Sequence, residues 1–283
     1  KMTTGIRNTI IGSLAGDAIT TGYENVVIGF NAASAQNTGA QNTIVGAYAG
    51  DALTSGHSNV AVGHGALSVE DNGTRNVAVG WGTLAALNAG DGHNVAVGFQ
   101  AGAAITTGTK NTLVGATAGD ALTTGINNTA LGYDALSTSV DGDLNTAIGY
   151  LALRVYEDGD GNGNNTAVGA NSQAAATTGE FNTSIGSGSM GNASITGDGN
   201  VAVGYEAGRA ITSGSSNITI GYQAGDTLNT GSNNIAIGTF ALDNEDAGGN
   251  NIAIGRHALG TLDAGSNAHN TAVGYEAGAL MST

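Results

Sequence analysis

Apolar and polar positions along this chain repeat with a period close to 17 residues. The unit is Asn, two residues, Val, Ile or Leu, then Gly, and it occurs sixteen times, from Asn8, Asn25 and Asn42 through to Asn251 and Asn270. Eleven of the fifteen intervals are 17 residues, and the others are 18, 20, 18 and 19. So short and regular a period predicts one coil per repeat, stacked along an axis. With each coil numbered from its Asn, position 5 is Gly in all sixteen, and position 15 is Gly in fourteen of the fifteen complete coils. The exception is Thr196, followed by Gly197. Two glycines about ten residues apart mark two corners, where φ > 0 or close backbone approach is needed. Between them two short strands are expected: Asn59-Val60-Ala61-Val62-Gly63 exemplifies the first, and positions 10 to 14, as in Asp120 to Thr124, form the second. β-branched residues favour strand, and the glycines would break a helix.

The predicted fold is therefore all-β: a parallel β-solenoid (β-roll) of sixteen coils of about 17 residues, in one repeat domain over 1–283. Residues 1–7 read as the tail of a preceding coil, because Thr3-Thr4-Gly5-Ile6-Arg7-Asn8 parallels Thr20-Thr21-Gly22-Tyr23-Glu24-Asn25. At about 4.8 Å per coil, the coils predict a rod of roughly 75 Å. Position 4 is always Val, Ile or Leu, and position 3 is mostly Ala. With both strand faces largely apolar, both need cover. The reading puts position 4 (Ile148, for example) and position 12 inside, and turns position 3 (Ala61, Ala78, Ala96) toward another chain. A homo-oligomer follows.

Positions 9 and 12 vary together. Seven coils have Gly at position 9 and a large apolar residue at position 12, as in Gly16 with Ile19 or Gly119 with Leu122. Where position 9 is Leu67, Leu136 or Leu242, position 12 is Glu70, Ser139 or Glu245. One apolar plug per coil, entering from either side, satisfies close packing. Three coils carry both plugs, and each also has an insertion after its position-15 Gly: 91–93, 160–164 and 266–269. With the Gly197 coil, all length changes are assigned to one edge, as insertions in repeat proteins usually are.

Composition narrows the role. Pro is absent, which suits backbone N–H groups committed to ladders. Cys is absent, so there is no disulfide or thiolate chemistry. Seven Lys and Arg against 22 Asp and Glu leave a net charge of −15. That surface repels phosphate backbones and argues against nucleic acid. No apolar run has membrane-spanning length, so no membrane insertion is expected of this segment.

Asn-Val-Ala-Val-Gly and Asn-Thr-Ala-Ile-Gly resemble the core of head repeats in YadA-type trimeric autotransporter adhesins. The form Asn270-Thr-Ala-Val-Gly-Tyr-Glu-Ala-Gly278 is similar to repeats in bacteriophage tail fibres. The resemblance spans residues 8 to 283. It implies a left-handed β-roll, three chains about one axis, and an extracellular structural or adhesive role on a virion or bacterial surface, with a cell-surface glycan or protein as receptor. The adhesin head coil is shorter, and no coiled-coil stalk is seen here.

Candidate chemistry is sparse. The position-1 asparagines read as a stacked amide ladder at a corner. Asp158, Asp160 and Asn162 match the first half of a calcium loop, D-x-D-x-N-G, and are the candidate calcium ligands; Gly169 stands where the loop's Glu belongs, and a solvated acidic turn is the plainer reading. Aromatic residues at position 6, among them Phe30, Trp81, Phe99, Tyr205 and Tyr222, could stack on sugars or pack on one another. Thr pairs such as Thr106-Thr107 could face ice, yet ordinary strand threonine fits them better. His57, His64, His93, His257 and His269 form no catalytic pattern. The expectation is a non-enzymatic fibre segment without a cofactor, calcium aside. The alternatives are a fibre-borne glycan hydrolase and, further off, an ice-binding solenoid.

Overall fold

The computed structural model describes residues 3–157, 163–192 and 194–281. It is an all-β parallel solenoid with one three-residue strand per coil, always at positions 2 to 4, and no helix among the described residues. The chain divides into two compact units, Lys1–Asp143 and Leu144–Thr283. In the first unit, eight strands from Thr9–Ile11 to Thr129–Leu131 pair in parallel with their neighbours in unbroken register, for example Val60 with Val77 and Ala61 with Ala78. The second unit repeats this from Thr146–Ile148 to Thr271–Val273.

The expected second strand does not form. Positions 5 to 12 instead make two successive turns: Ala49 N donates to Gly46 O at 3.3 Å, and Leu53 N donates to Gly50 O at 3.1 Å. Left-handed residues at positions 7 and 9 bend the chain there, and many are not glycine, as at Tyr48 (φ 56°) and Leu67 (φ 56°). Inter-coil bonds persist through the turns, as where Leu67 N donates to Thr83 O at 3.0 Å. The coil is thus bonded to its neighbours well beyond its short strand.

The interior is also turned over relative to expectation. Position 3 is buried in every coil but the first, with Ala61, Ala78 and Ala96 fully enclosed, and among the described residues position 12 is inside in every coil but the last, where Met281 is exposed. Position 4 is not buried in any coil, so Ile148 belongs to the outer face. The reason is strand alternation: positions 1 and 3 share a face, and the asparagine is itself interior. Positions 3, 8, 9 and 12 together fill the core. The trade between positions 9 and 12 is steric. A Cβ on Gly16 would lie 2.9 Å from Ile19 Cδ1, and one on Gly208 would lie 2.7 Å from Ile211 Cδ1. Position 3 joins the trade, since Ile44 and Leu113 reach toward Gly50 and Gly119.

Position-5 glycines need both their conformation and their size. Gly63 has φ 137°, and a Cβ there would meet Gly80 O at 2.2 Å. One length change also moves. Asn182 Nδ2 donates to Gly197 O at 2.9 Å, the corner bond other coils make to their position-15 glycine. The extra residue of that coil therefore precedes the corner rather than following it.

Candidate functional site

The asparagine ladder is an interior column. Fourteen of the sixteen asparagines are buried. Asn111 shows the full pattern: its Nδ2 donates to Gly125 O at 2.8 Å and to Asn94 Oδ1 at 3.2 Å, while its Oδ1 accepts Asn128 N at 2.9 Å. Where the pattern is complete, the amide closes its own coil and holds the next one. With donors and acceptors committed to backbone, the column has a structural role rather than a ligand-binding one.

Glu70 and Glu245 are fully buried at position 12, and their surroundings explain the insertions that follow them. In regular coils the N–H groups of positions 13 to 15 converge on one carbonyl of the next coil; Asn229, Thr230 and Gly231 all donate to Asp246 O. Beside Glu70, Asn72 and Gly73 do not donate to the next coil's carbonyl. Glu70 Oε1 takes its place, accepting Gly73 N at 2.6 Å and Asn72 N at 3.3 Å, while Oε2 accepts Ala89 N of the next coil at 3.2 Å. Glu245 does the same for Gly248, Ala247 and Ala264. Burial pushes the Glu70 carboxyl above its usual range, against the pull of its backbone donors. Sequence reading treated these residues only as missing plugs. The retrievable signal was that each precedes an inserted coil.

Glu245, Asp246 and Asp263 bring carboxylate oxygens within 4.8 Å of one another. Glu245 commits both oxygens to backbone donors, so the trio is no ready cation cage. The predicted calcium ligands Asp158, Asp160 and Asn162 lie outside the described residues.

Aromatic rings form exposed ladders within each unit. In the first, Phe30, Tyr48, His64, Trp81 and Phe99 succeed one another at centroid distances of 5.1 to 6.3 Å. In the second, Tyr205, Tyr222, Phe240 and His257 do so at 5.0 to 5.4 Å. Tyr48, Phe240 and His257 sit at position 7, which sequence reading overlooked. Trp81 and Phe99 stack at 11°, so each covers a face of the other. Sugar stacking needs an open face, so packing on one another is the better description.

The position-13 threonines are also committed. Thr54 and Thr123 donate their hydroxyl hydrogens to Asp71 O and Val140 O at 2.7 and 2.9 Å. Such hydroxyls reinforce the coil stack.

What remains unpartnered is the outer face of the strands. Position 4 is Val, Ile or Leu throughout, with Leu131 46%, Ile185 43% and Ile220 36% exposed. No strand residue is charged. Neither a family model, nor a characterised protein, nor a solved structure matches the chain.

Proposed function

We propose that this chain is a structural or adhesive segment of an extracellular fibre, borne on a virion or a bacterial surface, and that it works as a homotrimer. The observation that carries the reading is the outer strand face, which is uncharged, apolar at position 4 and Val, Ile or Thr at position 2, and at least partly exposed along each unit of an otherwise acidic chain. Contiguous apolar surface of this kind marks an interaction site, and depletion of charge is typical of interface cores. The net charge of −15 lies on the turns, where it leaves that face free to associate. The interface thus involves positions 2 and 4, not position 3. Identical surfaces on associated chains would let weak contacts to a cell-surface glycan or protein add through avidity. The task is mechanical and multivalent, with no bond made or broken.

Light scattering after size exclusion tests the reading. The chain should elute as a trimer, and Ile220→Asp should shift it toward monomer while its β circular dichroism persists. A native monomer would sink the proposal. Glycan degradation by the purified protein would favour the hydrolase alternative instead.

A further inference from the structure

Among the described residues, Asn72-Gly73 is the one place where glycine follows asparagine. Asn72 is exposed, and its side-chain amide makes no hydrogen bond to the described protein, unlike the amides of the ladder. It lies toward Gly90 of the next coil, whose surroundings are otherwise open. The following amide is the unusual part. Gly73 N–H is held at 2.6 Å by Glu70 Oε1, inside a buried carboxylate site.

We propose that Asn72-Gly73 is a self-modifying site, where Glu70 acts as general base for closure of Asn72 to a succinimide and its conversion to aspartate and isoaspartate. Gly73 N attacks Asn72 Cγ, forming the N–Cγ bond. Its proton passes to Glu70, and from there to the departing amide nitrogen, which leaves as ammonia. Water then opens the ring at either carbonyl. No oxidant, reductant or other co-reactant is needed. Glycine offers no side chain to hinder the approach. A carboxylate within hydrogen-bond reach of the proton it removes meets the geometric requirement for general base catalysis. The product adds a negative charge beside Asp71, and in the isoaspartate form it lengthens the backbone where the coil meets its lengthened neighbour. The site would act as an irreversible timer of that turn. This inference does not depend on the trimer.

The molecule contains its own control. Glu245 holds Gly248 N at the same 2.6 Å, but Ala247 stands where Asn72 does. The full chain is incubated near neutral pH and mapped by mass spectrometry, with isoaspartate separated by chromatography. Asn72 should convert well ahead of exposed Asn88 and Asn267. Glu70→Gln, which keeps an acceptor but removes the base, should slow conversion by about a hundredfold. Ala247→Asn should create a second converting site at a comparable rate. Persistence of Asn72 while Asn88 or Asn267 converts would overturn the proposal, as would an unchanged rate in a folded Glu70→Gln chain. If Glu70→Gln loosens the turn, the Ala247→Asn chain decides: conversion there supports the proposal, and its absence refutes it.

Discussion

Two asparagines of the ladder differ in what their side-chain N–H groups reach, and the difference follows from an insertion. Asn111 donates to its corner carbonyl, Gly125 O. Asn76 lies in the first lengthened coil, where Gly92 comes so close that a Cβ on it would be 2.4 Å from Asn76 Oδ1. Its buried Nδ2 has no partner, although its Oδ1 still accepts Asn94 N at 3.0 Å. Truncating Asn111 leaves both the Asn128 N–H and the Gly125 carbonyl unpaired, whereas truncating Asn76 leaves only the Asn94 N–H. Asn111→Ala is therefore expected to cost more than Asn76→Ala, by roughly 1–3 kcal/mol, the usual penalty for one orphaned buried group. Paired chemical denaturation of the two variants measures this. Equal losses would mean that the corner bond contributes nothing beyond what water supplies.

At the scale of the coil, the core behaves as a fixed volume shared by positions 3, 9 and 12. The coil from Asn128 has Ala130, Leu136 and Ser139 at those places, and the Ser139 hydroxyl oxygen is buried without a partner. The coil from Asn94 solves the same problem with Ala96, Gly102 and Ile105. Leu136→Gly alone should cost about 2–4 kcal/mol as a cavity. Adding Ser139→Ile should recover more than half, since it copies the second solution and removes the buried, unpartnered Ser139 hydroxyl. Thermal unfolding of both variants checks this, and a double variant no better than the single would deny the exchange. Much of this element was legible in the sequence, because strict 17-residue spacing and the two glycine columns report coil stacking directly. The plug trade was legible too, being a covariation of volume. Which strand face points inward was not legible, because Ala at position 3 and Val or Ile at position 4 are both apolar. Burial of the polar Asn decides it, and a polar residue reads from sequence as exposed. The two turns at positions 5 to 12 were hidden for a related reason: residues such as Leu67 and Tyr48 give no sign of a left-handed backbone. Of the candidate sites, the asparagine ladder was readable by repetition alone. The role of Glu70 was not, since its partners are backbone groups of another coil.

Over the whole chain, two effects act on stability in the same direction as pH changes. Burial raises the carboxyls of Asp51, Asp120, Asp226 and Asp243 above their usual range, and Glu70 with them. A carboxyl raised on folding binds its proton more tightly in the folded chain, so its stabilising share is present below the unfolded pKa and is lost as pH rises through the folded value. The net charge of −15 adds self-repulsion that also grows as carboxyls ionise. Glu24 and Asp91 oppose the trend. The Arg7 hydrogen bond lowers the first and the Thr74 hydroxyl lowers the second, so their share is lost as pH falls. Both are exposed, where pairing contributes little. The melting temperature at fixed protein concentration should therefore rise as pH is lowered from neutral into the ordinary carboxylate range, through linkage of proton binding to folding. Salt separates the two effects, because about 0.5 M screens the surface charge while leaving the buried groups largely unscreened. The slope that survives in salt belongs to the half-buried aspartates. Replacing Asp51 and Asp120 together by Asn removes two of them while keeping an acceptor oxygen for the backbone donors of their own turn. That variant should melt higher than the parent at about pH 8 and show a shallower dependence in salt, since the groups that prefer to be neutral are now neutral at every pH. An unchanged slope would place the pH dependence in the surface charge alone, and the position-10 aspartates would then be turn residues without a titrating role.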